Sequence, residues 1–285
     1  MFCSVCFMFL ACQKNMKDFT RENSPQEEPD KLNGTASLKG TMFYALTSSN
    51  ELVSYASGNP LKENAPITIT GLQPGERLLA IDFRPATGQL YSVSSQSRIY
   101  TINLNSGAAS AVGTGFTPAI NGNSVGFDFN PTVDRIRLVT NTGQNLRLNP
   151  VTGMLAMADL SINPTSSMVT AVAYTNSFAG ATTTTLYDID VANDMLYIQT
   201  PPNNGVLVAV GALGIQAAGE AGFDISPDNS VAIAAIYGRG FEEGQEEESN
   251  GNKYRFYYID LGTGKATNAG KTEKEIIGLA IPAMQ

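Results

Sequence analysis

The stretch SVGFDFNP at residues 124–131 recurs along the chain, and its recurrence decides the fold. LLAIDFRP (78–85) and EAGFDISP (220–227) repeat it and put Asp82, Asp128 and Asp224 in one aligned position. Two weaker copies, VTAVAYTN (169–176) and IIGLAIP (276–282), carry Ala173 and Ala280 there. The aligned positions 82, 128, 173, 224 and 280 are 46, 45, 51 and 56 residues apart. Three further short runs follow each of the first four copies, with Gly, Asn, Pro or Asp at most turns. After LLAIDFRPATG, for instance, stand QLYSVSS, RIYTINLNSG and AASAVG. Four strands at a period of roughly 40–50 residues mark a β-propeller blade.

The chain ends complete the count. IIGLAIP is a first strand without followers. TMFYALTSS, ELVSYAS and APITITG, at the start of the body, are followers without a first strand. Joined, they make one blade from both ends, which closes the ring and removes an exposed edge. The expected architecture is therefore all-β: a β-propeller of five four-stranded blades. A β-sandwich or solenoid is the alternative. Runs such as LLAIDF and SVAIAAIYG lack clean apolar–polar alternation, as strands covered on both faces should.

Composition agrees with this. The 285 residues are 42% apolar and 15% charged, and their Gly, Thr, Asn, Ser and Val suit short strands and tight turns. A net charge of −8 with no basic stripe argues against a nucleic-acid partner. The chain has no histidine, so it has no Ser-His-Asp triad, no Cys-His pair and no His-ligated metal site. Catalysis would have to rest on carboxylates, Lys, Tyr or Arg. No cofactor is expected. The three cysteines, Cys3, Cys6 and Cys12, all precede the body, which leaves it without a disulfide or thiolate metal site.

The opening MFCSVCFMFLAC is an apolar run too short to span a bilayer. Its end, Leu10-Ala11-Cys12, resembles the lipobox of bacterial lipoproteins, although Phe9 stands where Leu is usual and no Lys or Arg precedes the run. Residues 1–11 are read as a lipoprotein-type signal peptide and Cys12 as the lipidated residue. Residues 12–34 are polar and charged, a disordered tether. Residues 35–285 form the propeller. The plainer alternative is an apolar end followed by a solvated tail.

The text LLAIDFRPATGQLY, RIYTINLNSG, then VGFDFNPTVDRIRLVTNTGQNLRLNPVTG resembles a bacterial family known as domain of unknown function 4394. The resemblance runs from about residue 40 to residue 282. It implies a propeller-like fold and a secreted or membrane-anchored location, and it carries no established activity.

Candidate sites follow from the residues. Asp82, Asp128 and Asp224 fall on the innermost strands, which line the central channel. Carboxylates brought there from different strands could act as the acid and the base or nucleophile of a glycosidase. Their identical place in a repeated motif favours a structural role instead, with each Asp accepting backbone hydrogen bonds that lock neighbouring blades. Asp188, Asp190 and Asp194 in DIDVAND could hold calcium through oxygen ligands, but a β-hairpin with its turn at Asn193-Asp194 explains them as well. The acidic run at 242–248 interrupts the fourth blade and reads as solvated. The Gly-rich stretch 113–126 lacks the Lys-Ser/Thr of a phosphate loop and reads as a connection between blades. Arg84, Arg135, Arg137 and Arg147 could clamp an anionic ligand, but pairing with nearby acids or capping of turns is the favoured reading. The expected function is that of a lipid-anchored envelope module binding a protein, glycan or small ligand, with the membrane reached only through the lipid. A carboxylate-based glycoside hydrolase or lyase working in the channel is the alternative. A purely structural lipoprotein is the third reading.

Overall fold

A computed structural model describes residues 40–56, 62–239 and 253–283. Five antiparallel sheets surround one axis. Blade I runs outward through Leu78–Phe83, Leu90–Ser94, Ile99–Ile102 and Ala109–Val112. Blade II holds Val125–Asn130, Arg135–Thr140, Asn145–Leu148 and Leu155–Ala158. Blade III holds Val169–Tyr174, Leu186–Asp190, Met195–Gln199 and Leu207–Ala212. Blade IV holds Gln216–Ile225, Ala232–Arg239, Lys253–Ile259 and Ala266–Lys271. Blade V takes its innermost strand, Ile276–Ala280, from one end of the chain and Met42–Thr47 and Glu51–Ala56 from the other. Its outer position is split between two short segments, Lys62–Glu63 and Ile67–Thr68, both paired with Glu51–Ala56.

The protein is thus the five-bladed propeller that its repeats predict. The closure is a strand pair, Tyr44 opposite Ala280 and Ala45 opposite Leu279. The acidic run 242–248 lies outside the described residues. The strands on either side of it, the second and third of blade IV, pair from Ile233–Tyr258 to Gly238–Lys253.

Local chemistry sets the turns. In NPVTG, the Asn149 side-chain oxygen accepts the backbone N–H groups of Val151 and Thr152. Gly153 then takes φ +68, a region that β-carbons disfavour. A Cβ there would lie 1.9 Å from the Val112 carbonyl oxygen of blade I, so this turn also seats one blade on the next.

Apolar side chains fill the gaps between blades. Four gaps hold between eleven and fifteen buried apolar residues each. The fifth, between blades II and III, holds six: Val139, Ile162, Val169, Val172, Tyr174 and Leu186. What replaces the missing apolar packing there is polar.

Candidate functional site

The innermost strands bring Asp82, Asp128 and Asp224 together at the axis. One carboxylate oxygen of each lies within 4.8 Å of those of the other two, and all three residues are buried, at 1–2% exposure. Their hydrogen bonds form a pattern around the ring. Asp82 Oδ2 accepts the N–H of Phe129 in blade II at 2.8 Å. Asp128 Oδ1 accepts the N–H of Tyr174 in blade III at 3.2 Å. Asp224 Oδ2 accepts the N–H of Ile281, which follows the innermost strand of blade V. Each bond crosses to the residue after the aligned position of the next blade.

This accounts for the two alanines. Blades III and V have Ala173 and Ala280 at the aligned position, so no carboxylate reaches forward from them to Ile225 or Phe83. Those two N–H groups are accepted instead by the acid just before them. Phe83 donates to Asp82 Oδ1 and Ile225 to Asp224 Oδ1, both at 2.6 Å. Three carboxylates therefore satisfy five buried inner-strand N–H groups, Asp82 and Asp224 two each and Asp128 one. An unmet N–H at such a place would be costly.

Burial raises all three carboxyl groups well above the usual range, and their mutual negative charge adds to the rise for Asp82 and Asp128. Asp224 is pushed up to about 7 by burial, opposed by the Ile281 and Ile225 N–H groups. Three acids this close titrate as one unit and do not all ionise at neutral pH.

The axis beside them is narrow. Residues two places before the aligned position, Ala80, Gly126, Ala171, Gly222 and Gly278, line a space of about 10 Å³, the volume of about one water-sized probe. A Cβ at Gly222 would sit 2.8 Å from the Gly278 carbonyl carbon and 2.9 Å from the Leu279 nitrogen. Small residues let the strands converge and leave no room for a sugar. This signal was present in the sequence, as A-I-D, G-F-D, A-V-A, G-F-D and G-L-A, beside the more conspicuous Asp.

The other candidates separate. Asp190 Oδ1 accepts the N–H groups of Met168, Ala192 and Asn193, and Asp194 Oδ1 accepts that of Ala217. Asp190 thus organises the turn that follows it, and Asp194 ties that turn to the first strand of blade IV. Asp188 is fully buried, and neither of its oxygens has a partner among the described residues. Burial raises its pKa well above normal, against the pull of Arg137. The stretch 113–126 connects blades I and II. Cys12 lies outside the described residues.

The four arginines divide as well. Arg84 pairs with Asp134, its Nε 2.8 Å from Oδ1, and so ties blade I to blade II. Arg135, Arg137 and Arg147 gather at the seam between blades II and III, the gap with the fewest buried apolar residues, where they line a cleft of about 240 Å³ with Asn130, Tyr174 and Asn203. Arg137 is 2% exposed. It donates to Asn145 Oδ1 and Asp159 Oδ2 at 2.7 Å, to Asn203 Oδ1 at 2.8 Å and to the Tyr174 hydroxyl at 3.4 Å. Burial alone would lower its pKa, but the Tyr174 and Asp159 contacts outweigh that and raise it. Arg147 grips Asp159 through both carboxylate oxygens at 2.8 Å.

Ring, closure and carboxylate-tied axis define a five-bladed β-propeller with a roomy polar cleft between two blades. The chain belongs to the family described as "Domain of unknown function (DUF4394)", whose model matches residues 51–280. No curated protein matches it. Among solved structures it is similar to a protein of unknown function from Bacteroides caccae, at 11% identity and a TM-score of 0.44, covering 86% of this chain and 100% of that one. It is also similar to a protein of unknown function from Bacteroides thetaiotaomicron VPI-5482, at 15% identity and a TM-score of 0.46, covering 82% of this chain and 58% of that one. A third, from Bacteroides uniformis ATCC 8492 and named as a candidate 6-phosphogluconolactonase, has 14% identity and a TM-score of 0.40, covering 82% and 72%. These likenesses are distant.

Proposed function

We propose that this chain is a binding or interaction module, exported to the cell envelope and held there by a lipid on Cys12, rather than a hydrolase working in its channel. The observation that carries this reading is the use made of the axial carboxylates. Glycosidase acids face a common open cavity, roughly 5–10 Å apart with space for a sugar or water between them. Here Asp82, Asp128 and Asp224 are turned onto backbone N–H groups, beside an axis of about 10 Å³. Their raised pKa values resemble those of catalytic acids, but buried structural clusters shift in the same way. The partner is an envelope protein, a glycan or a small ligand.

The test is a screen of the full chain against envelope proteins and glycans, run beside glycosidase and lyase substrates. A bound ligand without turnover is expected. Turnover abolished by Asp128→Asn with the melting temperature unchanged would refute the reading. Cys12→Ala should release the protein from membranes; a variant that stays bound disproves lipid anchoring.

A further inference from the structure

We infer that the cleft between blades II and III is a binding site for a small oxyanion group, a phosphate or a dicarboxylate, held by Arg135, Arg137 and Arg147. This inference rests on the reading of the protein as a binding module and names the ligand class. The first support is charge. Three guanidinium groups line the cleft. The one carboxylate that pairs with them among the described residues is Asp159, which Arg137 and Arg147 share. Asp188, behind Arg137, is held towards its neutral form by burial. About two positive charges are left uncompensated, which matches a dianion.

The second support is donor geometry. Arg137 has four of its five N–H groups committed, to Asn145, Asp159, Asn203 and Tyr174. It therefore supplies fixed charge from a rigid position. Arg147 uses Nε and Nη2 on Asp159 and presents Nη1. Arg135 donates Nη1 to the carbonyls of Val133 and Asp134, within its own turn, and makes no ion pair among the described residues. Forked guanidinium donors on a charged, part-buried wall suit the oxygens of a phosphate or carboxylate.

The third support is what the seam gives up. Four blade gaps are filled by apolar clusters, while this one buries Arg137, Asn145 and Asp188 beside six apolar residues. Replacing buried ion pairs with apolar side chains is often stabilising, so stability alone does not explain the arrangement. A ligand site does. The volume of about 240 Å³ is below the usual range for drug-sized ligands and suits a compact anion or the charged end of a larger molecule.

The experiment is calorimetric titration of the full chain with inorganic phosphate and, separately, with malonate. At least one should bind, and the two arms show which oxyanion is preferred. Val133, at the rim, is 55% exposed, so Val133→Glu adds a negative charge without touching the core. That variant and Arg135→Gln should each weaken binding on the order of tenfold or more, as loss of a charge-assisted hydrogen bond or added repulsion does. Both should melt with the parent. No binding of either anion at millimolar concentration overturns the site, and so does binding that both variants retain. An envelope ligand that holds V133E as tightly as the parent would leave the binding-module reading intact and overturn this cleft. Failure of the envelope screen and of both anions overturns the two readings together.

Discussion

The axis and the seam between blades II and III both bury charged side chains, and they use them in opposite ways. At the axis every described inner-strand N–H after the aligned position has a carboxylate oxygen, and the remaining space is about one water. At the seam, guanidinium groups outnumber the carboxylate they pair with, and a cleft remains open. A buried acid cluster with raised pKa values is the feature that first suggests chemistry. Here it is the more fully satisfied of the two, and the less conspicuous arginines have donors to offer. Charge left over after internal pairing is a better pointer to a ligand than charge that is merely buried.

The largest effect that would break this comparison is loss of an axial tie. Asp82→Ala leaves two buried N–H groups without acceptors and should lower unfolding free energy by about 2–4 kcal/mol. Asp128→Ala leaves one and should cost about half as much. Denaturant unfolding at pH 5 tests this, since relief of like-charge repulsion is small when the acids are mostly protonated. An Asp128→Ala loss equal to that of Asp82→Ala would contradict the count of bonds.

Next in size is a pH effect. The three axial acids have raised pKa values in the folded chain, against about 3.9 when unfolded. Between those values the folded chain keeps protons that the unfolded chain has released. Their contribution to stability is therefore present in acid and is lost as pH rises from about 4 through the folded values, with Asp224 reaching its own near 7. Asp128→Asn keeps an oxygen for the Tyr174 N–H and removes one charge. It should therefore flatten the fall in melting temperature between pH 4 and pH 8. Parallel profiles for variant and parent would mean that the fold does not hold the Asp128 carboxyl in its protonated form.

The smallest effect sharpens the seam. Asp188 has two buried oxygens without partners, so Asp188→Val should raise stability at neutral pH by about 1 kcal/mol. A loss of that size would show that the carboxylate serves Arg137 as a necessary counter-charge.

Much of the fold was legible because it is a repeat. The aligned Asp or Ala, the runs after it and the two incomplete ends gave five blades and their closure, since local strand and turn preferences agree with the global ring. DIDVAND read as a hairpin, and the structure turns Asp190 and Asp194 onto backbone N–H groups. The blanks at Ala173 and Ala280 were not legible. A second oxygen on Asp224 or Asp82 does what a missing neighbour would have done, and which N–H each oxygen meets depends on how two blades abut. The ring of Ala and Gly two residues earlier could have been read from the same alignment.

By itself, the sequence determined the class of fold, the number of blades and the place where the ring closes, because periodic strands and turn residues act over a few positions. It also excluded histidine chemistry by composition. Only the tertiary structure decided which charges are satisfied. Arg137 meets Tyr174 and Asn203 across 37 and 66 residues, and Asp82 meets Phe129 across 47. Such pairings are set by the packing of one blade on the next, which no local pattern encodes.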